Sequence, residues 1–209
     1  MAKINHTSSQ AKRAEAMLAE RGMVRLRDFT AAGIAEETLA RLVRQGRVVR
    51  PARGLYQRAD ARPDAAHSLA QAATLVPNGV VSLVSALQFH GLTTQMPPRI
   101  WMAIRRSTWT PTVTYPPLRF VYFGEKAFAA DVETHRIERV PVRIYGVAKT
   151  IVDCFRYRNK IGVDVAFVAL REALTRGACS PKDVFKLAQE LRILTIVQPY
   201  LEATTAHGA

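Results

Sequence analysis

The sequence predicts an α+β chain in two parts, and three observations predict it. Helical apolar spacing broken by glycine at short intervals fills the first fifty residues, and a proline–glycine corner then joins two β-rich stretches. The remainder passes from helix through four β-rich stretches and back to helix. A chain of 209 residues, 48% of them hydrophobic, can bury one good core or two modest ones.

Ser8 or Ser9 is placed to cap a first helix carrying Ala11, Ala14, Met17 and Leu18, with Gly22 where it stops. A short second helix gathers Leu26, Phe29 and Ala32 and ends at Gly33. The third, over 36–45, has Leu39, Leu42 and Val43 at the spacing of one buried stripe and stops at Gly46. Ala35 stands where a Ser or Thr would cap this helix, so its start lacks the usual side-chain acceptor. The stretch RVVRPARGLYQR reads as strands over 47–50 and 55–58 joined through Pro51, Ala52, Arg53 and Gly54. Three helices and a hairpin within sixty residues are the pattern of a winged helix-turn-helix, predicted for residues 1–60, whose third helix enters a major groove.

Asp60, Arg62, Pro63 and Asp64 break the periodicity and mark a linker. Residues 61–209 then predict an α+β domain with a small, mostly antiparallel sheet and C-terminal helices. Helices are expected over 65–76 and 81–90, β-rich stretches over 99–105, 119–123, 131–137 and 141–145, and helices again over 147–158, 163–176 and 181–191. Gly162 and Gly177 act as stops, and Ser180-Pro181 as a restart.

The formal charge of +13 attracts phosphate polymers and anionic surfaces without naming either. Its distribution is more informative. Residues 1–60 carry twelve Lys/Arg against six Asp/Glu, and no acid stands between Glu37 and Asp60 while Arg41, Arg44, Arg47, Arg50, Arg53 and Arg58 do. Thr38, Arg41, Arg44 and Gln45 are expected opposite the apolar stripe of the third helix. There Arg can pair with guanine and Gln with adenine, while Arg47, Arg50 and Arg53 of the hairpin hold the backbone or probe the minor groove. Arg25 and Arg27, at the start of the second helix, are placed for a flanking phosphate. In the second domain Ile151, Cys154 and Phe155 point inward, and Lys149, Asp153, Arg156 and Lys160, with Arg158 adjacent, are expected on another side as a mixed basic stripe.

No run approaches the roughly 18–20 apolar residues of a membrane span. With Cys154 and Cys179 as the only cysteines, unpaired thiols in the cytoplasm are the simplest reading. GxGxxG, GxxxxGK[ST], GxSxG, HExxH and CxxC are absent, which argues against an enzyme. The nearest thing to a catalytic cluster is Asp131-x-Glu133-x-His135, which strand geometry would put on one face, as in a metal-dependent nuclease. His90 reads as a helix-end residue, and His6, His67 and His207 stand apart. A general RNA-binding protein is a third reading, and Trp101 and Trp109 lie outside the basic N-terminal segment where its stacking platform would be expected.

The segment RLRDFTAAGIAEETLARLVRQGRVVRPARGLYQR resembles the N-terminal winged helix of AbiEi-type antitoxins from type IV toxin–antitoxin and abortive-infection systems. PNGVVSLVSALQFHGL and VAKTIVDCFRYRNKIGVDVAFVALREAL are similar to the opening and later helices of that family's second domain. The resemblance implies a non-catalytic, two-part job without a cofactor or metal. The winged helix represses its operon by binding inverted repeats in duplex DNA, through Thr38, Arg41, Arg44, Gln45, Arg47, Arg50 and Arg53. The second domain neutralises a nucleotidyltransferase-like toxin, with Lys149, Arg156, Arg158 and Lys160 the expected antitoxin surface. Some chains of the family are free-standing regulators, which remains the alternative.

Overall fold

The structure, a computed structural model, describes residues 2–62 and 65–206, with side chains for 9–62 and 65–205. The side chains of His6 and Ser8 fall outside the described set, as do Pro63, Asp64 and His207. The elements divide into two compact units. The first holds residues 1–78, 111–118 and 135–142, and the second 79–110, 119–134 and 143–209. The sequence reading put one boundary near residue 60. The first unit runs further because helix α4 (His67–Leu75) packs on strand β1 (Met23–Arg25), burying Leu69, Ala70 and Ala72.

In the first unit, helix α1 (Ala2–Arg21) starts upstream of the expected serine cap, so Ser9 is interior to it. Ala11, Ala14 and Leu18 are buried as their spacing predicts, and the chain turns out at Gly22, φ +75°. Strand β1, helix α2 (Leu26–Ala31) and helix α3 (Glu36–Arg44) follow, then strands β2 (Val48–Ala52) and β3 (Leu55–Arg58). The sheet order is β1-β3-β2, antiparallel throughout, with Val24 opposite Tyr56 and Val48 opposite Arg58. Register shifts between Val49 and Ala52, which accommodates Pro51 where a regular ladder would need its missing N–H. The turn itself is Arg53-Gly54, tighter than the four residues expected, with Gly54 at φ +71°.

The core beneath comprises Ala14, Leu18, Val24, Phe29, Ile34, Leu39, Leu42, Val48 and Tyr56, with the Phe29 and Tyr56 rings edge-on at 5.9 Å. Strand β1 escaped the sequence reading because three residues carry no periodicity.

The second unit holds most of a five-stranded sheet, order β6-β5-β4-β8-β7. Its strands are β4 (Val80–Val81), β5 (Ile100–Arg105), β6 (Leu118–Phe123), β7 (Val132–Ile137) and β8 (Val140–Tyr145). The sheet is mixed, since β4 runs antiparallel to β5 but parallel to β8. Helices α5 (Leu83–Phe89), α7 (Val147–Arg156), α9 (Val163–Thr175), α10 (Pro181–Glu190) and α11 (Leu194–Ala206) enclose its core with two short ones, α6 (Glu125–Ala129) and α8 (Arg158–Ile161). The restart at Ser180 is a capping box: its hydroxyl accepts from the Asp183 N–H at 3.1 Å, and the Asp183 carboxylate accepts from the Ser180 N–H at 3.0 Å. The Ser180 hydroxyl, which donates to the Asp183 carboxylate at 2.6 Å, and the Ser180 N–H hold that carboxyl below its ordinary range. Helix α11 went unread because Pro199 lies inside it.

Candidate nucleic-acid interface

Helix α3 is fixed by what it buries. Leu39 and Leu42 are fully enclosed, and Thr38 turns in with them. The Thr38 hydroxyl donates to the side-chain oxygen of Gln10 at 3.0 Å, and the same oxygen accepts from the Ala35 N–H at 3.2 Å. Gln10, 25 residues upstream on α1, thus fixes the residue that begins α3, which has no side-chain cap of its own. Two sequence expectations change with this. Thr38 belongs to the inner face and not the outer one, and Val43, expected inside, is 37% exposed. The buried stripe is rotated by part of a turn, because Thr38 satisfies its hydroxyl on Gln10 and can go inward where Val43 would otherwise go.

The outer face of α3 then carries Glu36, Glu37, Ala40, Val43 and Arg44, with Arg41 half-buried at its margin and Gln45 exposed just past the end. The acids in the first turn and the arginines in the last suit the helix dipole. Beyond the helix the basic ridge continues unevenly. Arg47 is exposed but paired with Glu15 of α1 at 2.5 Å. Arg50 sits over the Tyr56 ring at 6.0 Å, and Arg53 is exposed at the tip of the hairpin turn. Arg58 faces Asp60, which holds that carboxyl below its ordinary range by hydrogen bonding.

Arg25 and Arg27 separate. Arg25 is half-buried and donates to the Leu75 carbonyl at 3.2 Å, with burial pulling its guanidinium below the usual arginine range. Arg27 is exposed beside Asp28. Both line an open cleft with Arg53, Thr30, Leu75 and Val113.

In the second unit the predicted basic stripe does not form a single surface. Lys149 is wholly buried, its ammonium bonded to the equally buried Asp153 and lying over the rings of Tyr145 at 4.0 Å and Phe123 at 4.5 Å. Burial lowers the Lys149 pKa and raises that of Asp153, each change opposed by the partner charge. The physical reason for the correction is enclosure on every side: α5, α9 and α10 pack around α7, which leaves residues 148–155 without exposed surface and Lys149 without an outward face. Arg156 donates to the Leu191 carbonyl at 2.6 Å and Arg158 to the Phe155 carbonyl at 3.1 Å, both half-buried. Lys160 alone of the four is exposed, near the Tyr157 ring.

The Asp131, Glu133 and His135 set does not assemble either. Among the described residues no three His, Cys, Asp or Glu side chains group so as to hold a metal ion. Asp131, at φ +50°, precedes β7 with its carboxylate against Gly146, and it lines one open pocket with Glu133, Asp183 and Lys186, a lining that does not include His135. His67, which stood apart in the sequence, meets Glu138 at 2.8 Å and Gln71 at 2.8 Å, a pairing across 71 residues that no local pattern announces. His90 closes α5, 2.8 Å from the Tyr145 carbonyl. The Cys154 thiol is buried and pushed well up, and burial also pushes Cys179 up to about 11, so neither is a poised nucleophile. No described helix is long and apolar enough to cross a membrane.

The chain is α+β, and its N-terminal end has the sequence pattern of a family of transcriptional regulators. Residues 13–59 match the family described as "Transcriptional regulator, AbiEi antitoxin", the stretch that runs from α1 to the end of the hairpin. Among solved structures the chain is similar to the RV2827C protein from Mycobacterium tuberculosis, at 17% identity and a TM-score of 0.59, over 95% of this chain and 81% of that one. At that identity the likeness is one of fold. No curated protein matches.

Proposed function

We propose that the chain is a DNA-binding repressor of the antitoxin kind, with residues 1–60 as a winged helix-turn-helix on inverted repeats in its own promoter. The observation that carries the reading is the division of α3: Leu39, Leu42 and Thr38 anchor one side, while Arg44, Gln45 and the hairpin arginines Arg50 and Arg53 remain outward in continuous chain order. An anchored helix with a basic last turn, followed by a hairpin carrying outward arginines, is what groove insertion needs. Arg44 and Gln45 are the candidate base readers; Arg47, Arg50 and Arg53 are candidate phosphate contacts, Arg47 once DNA competes with Glu15. Arg41 flanks the reading face, Arg27 is a peripheral contact, and Arg25 supports the strand it ends.

The second unit is proposed to neutralise a nucleotidyltransferase-like toxin without catalysis of its own. Lys160 is the exposed member of the expected antitoxin set, with Arg158 half-buried on the Phe155 carbonyl and Arg156 supporting the helix join. A stand-alone regulator is the second reading, favoured by the enclosure of Lys149, which removes one member of the proposed antitoxin surface. The test is a footprint of the purified chain on DNA upstream of its own gene. Protection of paired half-sites that Arg44→Ala abolishes supports the reading. Protection unchanged in Arg44→Ala and Arg50→Ala rejects it.

A further inference from the structure

A corner of the second unit carries chemistry that duplex binding by the first does not use. Trp109 is 90% exposed, whereas Trp101, the other tryptophan of the chain, is 5% exposed. A single large aromatic standing in water is the kind of exposure that asks for a partner.

The loop bearing it is held in place. The Thr110 hydroxyl and the Tyr122 hydroxyl are 2.6 Å apart, and the Thr108 N–H donates to the Arg105 carbonyl at 2.9 Å. The Arg106 N–H donates to the Phe123 carbonyl at 2.9 Å, which sets the exposed Arg106 beside Tyr122, itself 40% exposed. Arg119 spreads over the Trp101 ring at 4.3 Å, on the opposite face of β6 from Tyr122, and is not part of this corner. The neighbouring carboxylate, Glu125, is engaged by Arg105 at 3.0 Å. Residues 79–110 contain three arginines and no acid.

Two aromatic faces with polar tips, with the Arg106 cation beside them, do not make a continuous apolar patch of the kind that holds a protein partner. They match a polymer that offers flat apolar rings and anionic links in alternation. Bases inside a duplex are already stacked and cannot offer their faces, so the polymer must be unpaired. We propose that this corner binds a single-stranded polynucleotide, its bases stacking on Trp109 and Tyr122 and its phosphates pairing with Arg106. The site lies in the second unit and does not depend on the winged-helix reading.

The test titrates the full chain with a short oligo-dT and a short oligo-U, following tryptophan emission and, separately, anisotropy of the labelled oligonucleotide. Because Trp101 is buried, quenching on binding reports Trp109. Trp109→Ala is expected to weaken oligonucleotide binding at least about tenfold while leaving the far-ultraviolet dichroism unchanged, and Tyr122→Ala and Arg106→Ala to weaken it to a smaller extent. Arg44→Ala should leave it unaltered. The stronger of the two oligonucleotides identifies DNA or RNA as the natural strand. Affinity unaltered in Trp109→Ala overturns the proposal, as does equal quenching by heparin, a polyanion without bases, or tighter binding of the paired duplex at this corner in Arg44→Ala protein.

Discussion

Gln10 on α1 holds Thr38 on α3: one side-chain oxygen accepts from the Thr38 hydroxyl at 3.0 Å and from the Ala35 N–H at 3.2 Å. A residue remote in sequence thereby takes the N–H of the residue that begins α3, the bond the N3 side chain of a capping box would make, and orients the helix whose far end carries Arg44. Gln10→Ala should cost the first unit about 1 kcal/mol, the usual net worth of a lost hydrogen bond. Hydrogen exchange of the α3 amides should accelerate accordingly, while exchange in α9 stays constant. Unchanged protection in α3 would show that the bond contributes nothing.

Arg47 is engaged by Glu15 at 2.5 Å, an exposed pair of the kind that contributes roughly 0–1 kcal/mol to stability. If Arg47 turns to a phosphate on binding, Glu15 competes with it. Glu15→Gln is therefore expected to tighten duplex binding by a few-fold with little change in thermal stability, as read by anisotropy and calorimetry. Weaker binding in this variant would mean that Glu15 positions Arg47 and does not compete for it.

The enclosed Lys149 and Asp153 form a pair whose partners cannot be removed singly without leaving a charge in the core. Lys149→Met or Asp153→Leu alone should cost about 3–5 kcal/mol, and the double variant should recover most of it. Burial raises the Asp153 pKa, and loss of the lysine would raise it further. A carboxyl with a raised folded-state pKa contributes stability below its unfolded value, lost as pH rises through the folded one. Lys149→Met should accordingly be closer to wild type at about pH 4 than at about pH 8 in denaturant titrations. An equal deficit at both values would contradict a charged Asp153 as the source.

Gly22 sits at φ +75°, and a Cβ there would lie 1.8 Å from the Glu138 carbonyl oxygen, within the first unit. Gly22→Ala combines a left-handed backbone with an overpacked contact and should cost about 2–4 kcal/mol. His67 should show the change in its side-chain resonances, since Glu138 accepts from it at 2.8 Å. A folded variant with the His67 signals unmoved would place the strain elsewhere.

The sequence was legible where periodicity and turn chemistry act locally. Ala14, Leu18, Phe29, Leu39 and Leu42 all lie in the core they were read into, and Gly54 sits at the hairpin bend, while Pro51, read as part of the turn, lies within β2 at its register shift. It was illegible where a remote partner decides. Thr38 goes inward and Val43 outward because of Gln10, and Lys149 is enclosed because α5, α9 and α10 close over its turn of α7. Short strands such as β1 and β4 form only because neighbours complete the ladder, so two or three residues carry no signal of their own. The basic face itself was readable as charge, but not which arginines face outward: Arg25 and Arg47 are tied to Leu75 and Glu15 by contacts that no spacing encodes.

The central claim, that α3 and the hairpin present one basic ridge to duplex DNA, is tested most directly by the salt dependence of promoter binding. The logarithm of affinity should fall with the logarithm of salt concentration at about −0.9 per phosphate neutralised, to a slope of several units. Arg50→Ala and Arg53→Ala should each make it shallower by about one unit if they meet phosphates. A slope near zero, or one that neither substitution alters, would contradict the account.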